Sequence, residues 1–103
     1  MIVHGLKMIL DFSKEHREYK KPLKRWLNIA QRVECRKYAV IKSIFSSADW
    51  ITVNDWDYVV FNIIGNKVRL VANVNLKLRP PALFIVCVLT HAEYSKEKWK
   101  KGL

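Results

Sequence analysis

The stretch "ALFIVCVLTHAEYSK", residues 82–96, opens with eight apolar residues and ends in Thr90, His91, Glu93 and Tyr94. A buried strand usually stops at Gly, Pro, Asn or Ser, so a stop built of proton-carrying groups needs a reason. Histidine both gives and takes a proton near neutrality. Upstream, "NKVRL" supplies Lys67 and Arg69. Arginine on a rigid strand suits a phosphate, because its planar fork donates two parallel hydrogen bonds and stays charged. Such a set could cut RNA without a metal. The 2′-hydroxyl attacks the adjacent phosphodiester, cations stabilise the crowded phosphorane, and one group protonates the leaving 5′-oxygen. Each residue also has a plain structural alternative. His91 could cap the strand, Arg69 could pair with Asp57 on the surface, and Tyr94 could be half-buried packing.

Other chemistries find less support. His4, His16 and His91 are scattered, and no HxxxH or CxxC spacing gathers metal ligands. "GNK" reads as a hairpin turn rather than a phosphate-binding strand-to-helix loop. No Ser-His-Asp order comes with a nucleophile elbow. No cofactor is expected. Trp26, Trp50, Trp56 and Trp99 read as core and rim aromatics rather than base-stacking platforms.

The elements that must position these groups follow from periodicity. "MIVH" is a short strand broken by Gly5, and Leu6 to about His16 is helical with Leu6, Ile9 and Leu10 on one face. After the polar break "REYKK", Pro22 suits the first turn of a second helix. There Leu23, Trp26, Leu27, Ala30 and Val33 form a core stripe. Lys20, Lys21, Lys24, Arg25, Arg32 and Arg36 lie on its back, mostly as a solvated face. "VIKSIF" adds a short helix ended by "SSADW".

From Tyr58 the period changes to two. "YVVFNIIGNKVRLVANVNLK" predicts a hairpin turning at Gly65-Asn66, both residue types that tolerate positive φ. With that loop Asn62 faces Arg69 and Phe61 faces Leu70. Val59, Phe61, Ile63, Val68, Leu70, Ala72 and Val74 then share a face towards the helices. Tyr58, Asn62, Lys67, Arg69, Asn73, Asn75 and Lys77 share a largely polar one. "LRPP" breaks the sheet, and "ALFIVCVL" fits a central strand with neighbours on both sides. "AEYSKEKWKK" closes as a turn or short basic helix. The expected fold is α+β, one domain over residues 1–103, an antiparallel sheet with an N-terminal helical pair packed on one face.

Composition bounds the partners. The chain has 103 residues and a formal net charge of +10, from 19 basic and 9 acidic side chains. Such an excess on a small domain points to a polyanion: nucleic acid, the ribosome or an acidic protein. No apolar run approaches the roughly 20 residues that span a bilayer, so no membrane partner is expected. The N-terminus lacks a signal-peptide pattern. Two isolated thiols, Cys35 and Cys87, suggest a reducing, cytoplasmic setting.

"YVVFNIIGNKVRLVANVN" followed by "FIVCVLTHAEYSK" closely resembles the HigB-type toxins of bacterial type II toxin–antitoxin pairs, a branch of the RelE/ParE superfamily. "SIFSSADW" resembles that family's pre-sheet loop. The resemblance implies a metal-independent mRNA interferase, usually ribosome-dependent, and a HigA-type antitoxin with a helix-turn-helix domain. It implies that Lys67 and Arg69 of "NKxR" grip the scissile phosphate and that His91 of "THAEY" is general acid or base. Tyr94 and Glu93 would support the proton transfer. Lys77, placed by the strand pattern alone, would follow the RNA backbone. One departure stands out: family members commonly carry arginine in the last strand where this chain has Val86. Lys77 or Arg79 would have to substitute, or the toxin would be slow. The alternatives are a ParE-like or inactive member that binds a protein such as gyrase, and a basic RNA-binding domain.

The charge makes the first prediction. Binding of single-stranded RNA should weaken steeply with salt, with a log–log slope of about −0.7 per phosphate neutralised. A flat salt titration would remove the polyanion argument.

Overall fold

The computed structural model describes residues 1–34 and 36–103; Cys35, one of the two thiols noted above, lies outside the described residues. The elements run β1 (Ile2–His4), α1 (Leu6–Glu15), a 3-10 turn (Arg17–Tyr19), α2 (Lys20–Arg32), α3 (Tyr38–Ile44), β2 (Asp49–Val53), β3 (Trp56–Asn62), β4 (Val68–Asn75), β5 (Ala82–Thr90), α4 (His91–Ser95) and a final 3-10 turn (Lys98–Gly102). The chain is α+β, with a five-stranded sheet in the order β1-β5-β4-β3-β2. Pairing is antiparallel except at one edge, where β1 lies parallel to β5. The sheet is therefore mixed rather than purely antiparallel.

The register of the β3–β4 hairpin follows the hydrophobic pattern. Phe61 pairs with Leu70 and Asn62 with Arg69. A one-residue slip would move every apolar side chain to the wrong face. The turn closes with Ile63 N donating to Val68 O and Lys67 N donating to Ile64 O. Gly65 alone takes positive φ there, at 48°, so one left-handed residue suffices for the turn.

One sheet face meets the helices. Val59, Phe61, Val68, Leu70 and Ala72 are buried with Leu83 and Ile85 against Leu23, Trp26 and Ala30 of α2 and Ile9 and Phe12 of α1. In α1 the expected stripe is rotated. Ile9, Phe12 and Ser13 are buried, whereas Leu6 and Leu10 are 41% and 58% exposed. The helix follows β1 directly and lies along β5, so its inward face is set by that approach and not by its leucines.

The other face corrects a second expectation. It is not simply polar, because Tyr58, Val60 and Val71 form a smaller apolar cluster with partly buried Ile51, Val86 and Cys87. Tyr94, Trp99 and Leu103 from the C-terminal segment cover it. "YVVF" and "RLVA" carry apolar side chains at both parities, and a central strand buries both faces.

Strand β2 was missed by the period reading. Its "DWITV" alternates only weakly, but Asn54 and Asp55 after it both have positive φ, 52° and 67°. Val53 pairs with Trp56 across them, the geometry of a two-residue hairpin.

Gly5 joins β1 to α1 at φ 92°, and a Cβ there would lie 3.0 Å from Ile85 O and 3.1 Å from Ile85 Cβ. Gly5→Ala should therefore cost about 1–3 kcal/mol in urea unfolding. Leu10→Ala, on the exposed face, should stay within about 0.5 kcal/mol.

Candidate functional site

The site is assembled where the tip of the β3–β4 hairpin meets the end of β5. Val68 pairs with Thr90 and Arg69 with Leu89. His91 N then donates to Lys67 O at 2.9 Å. Lys67 and Arg69 thus stand beside the residue that ends β5. His91 is two residues from Arg69's cross-strand partner, a diagonal relation of about 7–8 Å between backbones. His91 is exposed, as is Lys67.

The strand stops at Thr90 because a helix starts there. Thr90 Oγ1 accepts from Glu93 N, and Glu93 Oε1 accepts from Thr90 N at 3.0 Å and from Thr90 Oγ1 at 3.1 Å. This is a capping box, which satisfies the first free N–H groups of α4. Glu93 was singled out for proton transfer, yet its carboxylate is occupied in fixing the turn that presents His91.

Arg69 is held rather than loose. Only 9% of it is exposed. Nη1 donates to Gly65 O at 3.0 Å and Nη2 to Asn66 Oδ1 at 3.1 Å. Its Cζ lies 5.6 Å from the centroid of the Tyr94 ring, within reach of cation–π attraction. Tyr94 in turn stacks on Trp99 at 5.1 Å, and Trp99 Nε1 donates to Tyr94 O. Among the described residues, two of the five guanidinium N–H groups are used by the turn, and the rest remain for another acceptor. Asp57 is not a partner; its carboxylate accepts from Thr52, and among the described residues the one ion pair is Lys100–Glu97. Asn66, which orients the arginine, was not foreseen as a site residue. Its place in "GNKVR", three residues before Arg69, was the available signal.

Lys77 and Arg79 are elsewhere. Both follow β4 at the end where Asn75 pairs with Ala82. The eight residues of β4 put that end about 23 Å along the strand from Val68. Neither can replace a cation beside His91. Val86, where the resemblance leads one to expect arginine, sits next to the register shift opposite Val71 and Ala72 and packs in the second apolar cluster. No His/Cys/Asp/Glu group suited to a metal occurs among the described residues, and His4 and His16 stack on Phe84 and Phe12.

The family model for HigB toxin, the RelE-like toxic component of a toxin–antitoxin system, matches residues 12–97. The chain belongs to the HigB toxin family. A search of curated proteins gave no match. The matched region begins within α1 and ends just beyond α4, so it contains the whole hairpin–β5–α4 constellation. As a HigB-family toxin the protein is one half of a pair, and an antitoxin is its partner. No helix is long and apolar enough to cross a membrane.

Beside the site, burial and then the Glu93 carboxylate push the Cys87 thiol up from 9.0 to about 11. Folding therefore favours the protonated thiol. The stability this contributes is fully present below the unfolded value and is lost as pH rises through about 11. In a Cys35→Ser background, the difference in unfolding free energy between Cys87 and Cys87→Ala proteins should shrink over that window. A constant difference from neutrality upward would contradict the burial assigned to the thiol.

Proposed function

We propose that this HigB-family toxin is an mRNA interferase, an endoribonuclease that cleaves message on the ribosome by attack of a 2′-hydroxyl on the adjacent phosphate, without a metal. The observation that supports the reading is the strand register that sets Arg69, oriented by Gly65 and Asn66 and in no ion pair among the described residues, diagonally across from the exposed His91 at one hairpin tip. Arg69 would hold the scissile phosphate through its remaining N–H groups, with Lys67 adding charge. A cation fixed before substrate arrives needs little reorganisation as charge builds on the phosphorane. His91 would move the proton, as base for the 2′-hydroxyl or acid for the 5′-oxygen. Tyr94 would support that step and press its ring on the arginine, while Glu93 keeps the turn in place. Lys77 and Arg79 would follow the RNA backbone away from the cut. The partner would be a HigA-type antitoxin with a helix-turn-helix domain, and the setting the cytoplasm.

A second reading rests on Val86. With an apolar residue at the family's cationic position, the fold could serve as a ParE-like toxin that binds a protein target. Induction in bacteria followed by mapping of message 5′ ends separates the two. His91→Ala should lower cleavage by about 10²–10⁴-fold. Arg69→Lys, which keeps the charge but loses the fork, should also cut poorly while retaining its circular dichroism spectrum. Growth arrest with intact message would overturn the nuclease reading in favour of protein binding.

A further inference from the structure

The sheet opens at the end of β4 remote from His91. The β3–β4 ladder stops at Val59–Ala72, while β4–β5 pairing continues to Asn75–Ala82 and β2–β3 pairing to Val53–Trp56. Past the last ladder pair, Asn73 Nδ2 reaches across to Asp57 O at 2.9 Å. A cleft of about 430 Å³ lies there, lined by Trp50, Asp55, Trp56, Asn73, Asn75 and Lys77 among others. That volume falls in the range of small-ligand pockets, about 300–1,000 Å³.

Two features make the cleft unusual. Trp56 is 65% exposed and Trp50 is 43% exposed, a large uncovered indole surface for a domain that buries Trp26 almost fully. Trp50 is steadied edge-on against Tyr38, at 4.7 Å and 86°, whereas among the described residues Trp56 has no ring partner. The rim is rich in acceptors: Asp55 and the Oδ1 of Asn73, whose amide nitrogen is already engaged. Among the described lining residues, Lys77 supplies the one cation.

We propose that this cleft is a nucleobase subsite for the RNA substrate, in which a base stacks on Trp56 and Lys77 meets its phosphate. An aromatic face accepts any base. The acceptor rim then favours one with donors on its Watson–Crick edge, guanine above all. Asn73 lies four residues from Arg69 on the same face of β4, about 13 Å along the strand, so a strand held at Arg69 reaches the cleft within a few nucleotides. The C-terminal segment joins the two places. It starts beside Arg69 at Tyr94 and ends at the β2–β3 turn, where Asn54 Nδ2 donates to Leu103 O. Lys98 and Lys101 of that segment are exposed.

This inference rests on the substrate being RNA, and its test is kept separate from cleavage. In a His91→Ala background, single-stranded oligoribonucleotides of increasing length are titrated against Trp56→Ala and Trp56→Phe proteins. Stacking lost with the indole should weaken binding of the longer oligomers about 10-fold, with Trp56→Phe keeping most of it. Dinucleotides, too short to span both places, should bind more weakly to every protein than the longer oligomers bind to the Trp56 protein. Guanine at the distal position should quench Trp56 fluorescence more than uracil. Equal affinity of Trp56→Ala at every length would overturn the subsite even if message is cleaved. A length-dependent loss would uphold it even if no cleavage is seen, because the binding measurement does not depend on the nuclease reading.

Discussion

The β4–β5 ladder is the constraint on which the rest of the molecule depends. Its eight paired positions on β4, from Val68–Thr90 to Asn75–Ala82, bury apolar side chains on both faces, so its register can hardly shift without exposing them. That register delivers Thr90 to the hairpin tip and makes His91 the next residue out. Lys67 O closes the junction by accepting from His91 N. The candidate site does not require a flexible loop to find its place, since it stands at the end of the most heavily committed strand pair in the fold.

The two faces of that ladder have different duties. One supports the main core with α1 and α2, and the other carries a thin second cluster covered by Tyr94, Trp99 and Leu103 of the C-terminal segment. Arg69 lies at the margin of the thin side. Its charge is tolerated because the turn carbonyl of Gly65, the amide of Asn66 and the Tyr94 ring replace some of the lost water. The register shift opposite Val71 and Ala72 brings Val86 and Cys87 into the same cluster. Val86 serves packing there, beneath the C-terminal cover.

Much of this was readable from residue order. Alternation in "VVFNII" and "KVRLVANV", with Gly-Asn between them, leaves one register that segregates apolar from polar, and that register is the observed one. The apolar run 82–89 likewise implied neighbours on both sides. What escaped was tertiary. Leu6 and Leu10 carry the apolar signal in α1, yet Ile9, Phe12 and Ser13 turn inward because Gly5 fixes how the helix leaves β1. β2 escaped because its alternation is shallow and its turn, Asn54-Asp55, carries no glycine. At the candidate site, the adjacency of the "NKVRL" and "THAEY" segments could be read from strand pairing. The occupation of Glu93 by Thr90, and the hold of Asn66 on Arg69, depend on side-chain rotamers that no periodicity encodes.

The sparse ion pairing among the described residues has a further thermodynamic meaning. With a net charge of +10 and one ion pair, Lys100–Glu97, among the described residues, the folded chain works against its own positive field. Any anionic partner relieves that repulsion as well as making contacts, so its binding energy is also folding energy. An acidic antitoxin surface would then act on this toxin as a scaffold for its compact state, and its removal would leave behind a protein that is both unmasked and shorter-lived.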